Sequence, residues 1–254
     1  MHSQSPKSKI VVITQARTGS TRLPGKVLRE VCGKTLLEHH VDRLLRAGRV
    51  DDVVVATSTA SGDDAIEDLC KARGYKVFRG DEADVLSRYA GAAETFGGDI
   101  IIRVTSDCPL IDPAVVDALV EMFLSSDPPL DYARVDTTSY PHGLDTEIFS
   151  RSALMAAASE AVDPEEREHV TAFLYRRPER FRLSTLLSAD AHPGHRWCVD
   201  EERDFDFVTR VIEALYPENP MFGWRDCIEV LRQNPDWMTI NRDVKQKTLK
   251  AHGA

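Results

Sequence analysis

Residues 9–26 read KIVVITQARTGSTRLPGK. The first seven form a short β-branched run, and a Gly/Ser/Thr/Arg loop, 16–26, follows at once. A buried strand that feeds a flexible basic loop suits an open α/β sheet, because such sheets bind ligands at the carboxyl ends of their strands. Gly19 and Gly25 let the loop curl so that backbone N–H groups converge on phosphate oxygens. The loop is not a Walker A motif: the glycines stand one residue too far apart, and Val27 takes the place of the Ser or Thr that binds magnesium.

Around this loop the charge is unusual. From Gln15 to Lys34 there are five bases (Arg17, Arg22, Lys26, Arg29, Lys34) and one acid (Glu30), a local charge of +4. The whole chain of 254 residues carries 41 acids and 32 bases, net −9. A basic loop in an acidic protein requires an anion or a neighbouring acidic surface; a merely solvated loop is the other explanation. Overall acidity argues against a broad nucleic-acid-binding face. Apolar residues at 42% and charged ones at 29% are ordinary globular composition. No run approaches the ~20 apolar residues of a membrane span, and Met1–Lys9 is polar without the apolar core of a signal peptide, so a cytoplasmic location is expected. Five cysteines, at 32, 70, 108, 198 and 227, include no CxxC, which favours reduced, mostly buried thiols over a disulfide framework or zinc ribbon.

Working outward, apolar runs alternate with helical patterns. Strands are expected at 9–15, 53–57, 76–78 and 100–104, and helices at 35–47 (Thr35 as cap, Gly48 as stop), 63–73, 84–96 and from Pro113 behind the cap Asp112. That alternation means a parallel sheet with right-handed crossovers. The second half is less regular: strands at 131–136, 144–149, 181–187 and 196–199, helices at 150–161, 164–177 (Asp163 as cap) and 201–215. The expected fold is one doubly wound, mostly parallel α/β domain spanning 1–254. It has a nucleotide-binding half, 9–130, an inserted acceptor-side and dimerisation subregion, 131–215, and a C-terminal helical extension, 216–254.

Ser106-Asp107-Cys108-Pro109 follows the strand 100–104, so Asp107 stands at a strand's carboxyl end, where a carboxylate can bind magnesium that bridges phosphates. Capping a turn before Pro109 is its alternative role. Asp200 closes 196–199 and precedes the acidic turn Glu201-Glu202-Arg203-Asp204, where Asp204 or Asp206 are alternative carboxylates that a helix start would also stabilise. In PHGLDTEIF, His142, Asp145 and Glu147 alternate with apolar residues, and period-2 spacing puts Asp145 and Glu147 on one strand face, facing either sugar hydroxyls or solvent. Arg167, Glu168 and His169 are consecutive on a helix and cannot all face one ligand; Arg167 pairs with Thr171, and Glu168 serves structure or a subunit contact. His192 and His195 lack the further fixed ligands of a zinc site.

ARxxSTRLPGK resembles the signature of the cytidylyltransferases that activate acidic sugars, such as CMP-KDO and CMP-sialate synthetases. Over residues 9–210 the chain is more similar to the spore-coat polysaccharide biosynthesis protein F group, through Phe78–Tyr89, Arg103–Leu110, Tyr140–Phe149, Arg167–Thr171 and Trp197–Asp200. The resemblance implies a nucleotide-diphospho-sugar transferase-like fold and transfer of CMP from CTP to a small sugar-type acceptor, with release of pyrophosphate, in surface-glycan biosynthesis. It implies Arg17, Arg22 and Lys26 as catalytic residues, Ala16, Gly19, Ser20 and Ser106 at the nucleotide, and Asp107 and Asp200 as Mg²⁺ ligands. The acceptor would meet Arg134, His142, Asp145, Glu147 and Arg167, with Arg103 a further base available to an anion, and the enzyme would be a homodimer without nucleic-acid or membrane partners. A glycosyltransferase using an activated nucleotide sugar is the competing enzyme class, although its usual DxD is missing from 100–110; a non-catalytic nucleotide-binding module is the other.

Overall fold

A computed structural model describes residues 8–245. Most of the N-terminal segment Met1–Lys9 and the last nine residues of the 216–254 extension therefore lie outside the described residues. The main sheet has seven strands in the order β5-β4-β1-β6-β8-β7-β9. They are β1 (Ile10–Gln15), β4 (Asp52–Ser58), β5 (Lys76–Gly80), β6 (Ile100–Thr105), β7 (Tyr132–Val135), β8 (Glu147–Ser150) and β9 (Leu183–Leu186); β2 (Glu30–Val31) and β3 (Lys34–Thr35) form a separate small hairpin. β8 runs antiparallel to both neighbours, and every other pairing in the main sheet is parallel.

Helices cover both faces because the central strands are apolar on both. Ile10 and Val12 of β1 enter one core while Val11 and Ile13 enter the other. The first core receives α1 (Leu36–Leu44), α2 (Asp64–Arg73), α4 (Pro113–Ser125), α8 (Glu202–Leu215) and α9 (Trp224–Gln233); the second receives α3 (Val85–Phe96), α5 (Arg151–Glu160) and α7 (Ala172–Tyr175). The expected caps are in place. Thr35 and Glu38 form a capping box on α1, and Asp112 accepts from Ala114 and Val115 at the start of α4.

Two expectations are corrected. Residues 196–199 are extended but form only an isolated bridge between His142 and Arg196. Their hydrogen bonds go to loops instead: Trp197 N donates to His142 O over 2.7 Å and Val199 N to Asp107 O over 2.8 Å. Gly143, at φ 115°, permits this approach, since a Cβ there would lie 2.9 Å from Trp197. The helix expected over 164–177 breaks at Val170 into α6 (Pro164–His169) and α7.

The chain passes from β1 to β4 and β5 on one side, then returns to β6 on the other. The carboxyl ends of β1 and β6 thus flank the point where strand order reverses, the crevice in which open α/β sheets bind ligands. His40 of α1 fixes the floor of this crevice. Its Nδ1 lies 2.8 Å from Cys108 O and its Nε2 2.9 Å from Thr14 Oγ1. A neutral ring that donates to the carbonyl and accepts from the hydroxyl satisfies both. Complete burial outweighs the carbonyl contact and lowers the His40 pKa from 6.5 to about 4. Protonation therefore favours the unfolded chain, so this contribution is whole above pH 6.5 and is lost as pH falls towards 4. The loss amounts to about 3 kcal/mol at 1.36 kcal/mol per pKa unit. Urea midpoints measured across that window should fall less steeply for His40→Gln than for the wild type; equal slopes would show that His40 is not the titrating group.

Candidate active site

A cleft of about 410 Å³ opens at the carboxyl ends of β1 and β6. One side of it is built by the loop 16–26. Thr18 anchors that loop by donating its N–H and Oγ1 to Asp63 Oδ1 at 2.7 and 2.9 Å, while Ser58 Oγ at the end of β4 donates to Asp63 Oδ2. Burial alone would raise the Asp63 pKa, but these donors hold it below the usual carboxylate value. Thr18 O in turn accepts from Ser20 N and Gly25 N, folding the loop upon itself, and Gly25 at φ 68° makes the turn into Lys26. Gly19 is exposed and lies outside the cleft lining, whereas Ala16, Ser20 and Ser106 belong to it. Arg17 also lines the cleft, exposed and without an ion-pair partner among the described residues.

At the mouth sits a dense ionic cluster. The buried Lys26 ammonium donates to Asp107 Oδ2 at 2.7 Å, Val199 O at 2.6 Å and Asp200 Oδ1 at 3.0 Å. Burial opposes its charge, yet the two carboxylates prevail and the Lys26 pKa is raised. Both carboxylates are held ionised in return. Burial works against Asp107, but Lys26 lowers its pKa; for Asp200, Lys26, Arg196 and Arg22 overcome burial and bring the pKa to about 2. Arg22 reaches Asp200 and Glu201, each at 3.0 Å. Asp204 is spent behind the cleft: fully buried, it pairs with Arg196 at 2.9 Å and accepts from Asn241 and the amides of Asp200 and Glu201. Asp206 is exposed and lies outside the lining, so among the candidate acids Asp200 is the one that faces the cleft together with Asp107.

The opposite wall carries Arg103, His142, Asp145, Glu168 and His169. His142 Nδ1 lies 2.9 Å from Asp145 Oδ2, which also accepts from Gly143 N at 2.6 Å. Burial disfavours the imidazolium, but Asp145 reverses that and the His142 pKa is raised. The shared strand face expected for Asp145 and Glu147 is not observed, because Asp145 precedes β8. Glu147 stands behind the wall. It pairs with Arg103 and accepts from Tyr132 Oη at 2.6 Å and Thr171 Oγ1 at 2.7 Å. Arg134 is exposed on β7, and Arg167 is bound to Asp84 and to the carbonyls of Ala158 and Ala161 rather than to Thr171. Neither lines the cleft. Sequence reasoning overlooked Arg88, a buried cation of α3 facing the cleft, and assigned Glu168 elsewhere. The lone polar residue within the apolar face of α3 was the available signal.

Two carboxylates that share one ammonium stand within reach of a single small cation. Magnesium typically takes one or two protein carboxylates and completes its octahedron with phosphates and water. Asp107 and Asp200 fit that requirement, and no group of three or more His, Cys, Asp or Glu side chains suited to a metal occurs among the described residues.

The cytidylyltransferase family profile matches residues 11–234. The spore coat polysaccharide biosynthesis protein SpsF of Bacillus subtilis is 33% identical, with 91% of this chain and 97% of that protein covered. A cytidylyltransferase structure from Leptospira borgpetersenii superposes with a TM-score of 0.86 at 32% identity, covering 95% of this chain and 100% of that one. The fold is also shared by a CMP:2-keto-3-deoxy-manno-octonic acid synthetase solved with CTP, at a TM-score of 0.64 and 22% identity over 82% of this chain and 99% of the other. With the basic loop and the paired carboxylates at one switch point, these matches set aside the glycosyltransferase and non-catalytic alternatives: the chain belongs to the cytidylyltransferase family and is a CTP-dependent nucleotidyltransferase.

Proposed function

We propose that the protein transfers CMP from CTP to a small anionic or polyhydroxylated sugar-type acceptor, releases pyrophosphate, and serves surface-glycan synthesis in the cytoplasm. The observation that carries this reading is the convergence of the loop 16–26 with Asp107 and Asp200 on one cleft, opposite a wall of acceptor-type groups. SpsF, by its name, acts in polysaccharide biosynthesis, and the more distant synthetase was solved with CTP; both support the proposal.

Transfer of this kind depends on positioning and on neutralising phosphate charge. Arg17, without an ion-pair partner among the described residues, and Lys26 grip the triphosphate, and Arg22 steadies the departing pyrophosphate. Lys26 has three donors and all three are engaged, so meeting a phosphate requires it to release at least one of Asp107, Val199 O and Asp200. Asp107 and Asp200 would hold Mg²⁺, which would supply positive charge against the triphosphate. His142 and Asp145 face the acceptor, with Arg103 offering a guanidinium to its anion. Glu147 acts through Arg103, while Arg134 and Arg167, outside the cleft, are given no role at the acceptor. Two copies of the chain meet through 131–187, a contact that a monomer in sedimentation at micromolar concentration would disprove.

Pyrophosphate release from CTP and Mg²⁺, measured with a panel of sugar acids, sugar phosphates and phosphonates, tests the reading. Lys26→Ala should lower kcat/KM by a hundredfold or more, since a preorganised charge contact is worth about 2.7–4 kcal/mol. Removing the exposed Lys71, paired with Glu67 on its own helix, should cost ~0–1 kcal/mol. Equal, small losses from both would return the loop to the role of a solvated surface. Asp107→Asn and Asp200→Asn should each abolish turnover while far-UV circular dichroism stays unchanged. Without any acceptor, CTP with Mg²⁺ should raise the melting temperature more than ATP, GTP or UTP, with about 2.7 kcal/mol of stabilisation at a hundred times Kd. A uniform response to all four nucleotides would contradict selection of cytosine.

A further inference from the structure

The residue that breaks the expected helix 164–177 is Val170, at φ 58° and ψ −60°. Thr171 N donates to His169 O over 2.5 Å across it. This is a γ-turn of the positive-φ kind, strained for any residue and a genuine outlier for a β-branched one. Strained backbone persists only where its surroundings over-determine it, and it concentrates at functional sites. Here the surroundings are explicit. Val170 is buried in the second core, and Thr171 Oγ1 is fastened to Glu147, the residue that also holds Arg103. The turn, Glu147 and Arg103 form one braced unit, and its effect is to place His169 on the cleft wall beside Arg103.

Within that wall the acidic and basic groups are mostly committed. His142 keeps its proton against Asp145, Asp145 is also held by Gly143 N, and Arg103 is paired with Glu147. The half-buried His169 ring makes no hydrogen bond among the described residues. Burial, reinforced by Arg103, lowers its pKa from 6.5 against the opposing pull of Glu168 and Glu165, which favours the neutral ring. The charges facing it are Glu165 and Glu168 of α6, Arg103 of β6 and Arg176 just after α7, with Arg88 of α3 in the same cleft. A neutral, unengaged imidazole can take a proton, whereas a phosphate or carboxylate nucleophile is already ionised and has none to give.

Building on the transferase reading, we propose that His169 is the general base of the reaction, and that the nucleophile is a hydroxyl on an acceptor whose anionic group rests on Arg103. The acceptor O–H bond breaks and its proton passes to an imidazole nitrogen of His169. The oxygen lone pair forms the new bond to the α-phosphorus of CTP. The bond from that phosphorus to the bridging oxygen breaks, its electron pair leaves with pyrophosphate, and His169 afterwards yields the proton to water.

The test measures pyrophosphate release from CTP and Mg²⁺ with three acceptors: 3-deoxy-manno-octulosonate, which carries a hydroxyl beside a carboxylate, a sugar 1-phosphate, and a phosphonate. Turnover is expected with the hydroxy acid. His169→Gln, which retains hydrogen bonding but accepts no proton, should lower kcat about a hundredfold or more with little change in KM. It should also abolish the acid limb of the kcat/KM profile below pH 6.5, whereas Glu168→Gln should keep that limb. Transfer confined to the phosphate or phosphonate, near-normal kcat in His169→Gln, or loss of the limb in Glu168→Gln instead would each overturn the assignment while leaving cytidylyl transfer intact. If His169→Gln does not fold, the wild-type profile decides, because the absence of an ionisation below pH 6.5 excludes an imidazole base. No pyrophosphate with any acceptor, together with no thermal response to CTP, would overturn both this assignment and the transferase reading.

Discussion

One ammonium group joins three separate parts of the chain. Lys26 comes from the loop after β1, Asp107 from the loop after β6, and Asp200 from the extended segment before α8, and all meet at 3.0 Å or less. Each of these charges is costly to bury alone, and the two carboxylates would repel each other without the lysine. Around this trio Arg22, Arg196 and Asp204 complete a network in which every charge has a counter-charge. The groups suited to gripping a triphosphate are therefore the same groups that fasten the substrate loop to the C-terminal third. In the free enzyme the cluster is electrostatically self-satisfied; substrate must offer at least as good a set of partners to reopen it.

The parts of this architecture that local sequence controls were legible. Apolar runs of four to six residues gave the central strands, and Thr35, Asp112 and Asp163 marked helix starts through their side-chain acceptors. Strand-end position drew attention to Arg17, Lys26, Asp107 and Asp200. Features decided by distant partners were not legible. Trp197–Val199 looks like a strand, yet its hydrogen bonds run to the loops at 142 and 107. Arg167 displays anion-binding chemistry, but Asp84, 83 positions away, neutralises it. Val170 gives no Gly or Pro signal at its turn, because packing and the Thr171–Glu147 bond force the break. His39 and His40, adjacent on one helix, cannot share a face, which predicts that at least one is exposed, yet both are buried.

Strain and charge are thus used differently on the two sides of the cleft. The loop 16–26 is held by ion pairs of a kind that phosphate oxygens can replace. The opposite wall is held by a braced turn, a buried salt bridge and core packing, none of which a ligand can easily replace.

The spacing of the ionic cluster along the chain also orders events in time. Lys26 finds Asp107 81 residues later and Asp200 174 residues later. At ~5–20 residues per second of synthesis, roughly 10–35 s separate the emergence of the lysine from that of its last partner. Through that interval β1, β4, β5 and β6 can already pair, but their central basic loop has no completed anchor. The catalytic cleft is therefore among the last features of the nascent protein to form, and a ribosome that stalls before Asp200 leaves a sheet without a cleft.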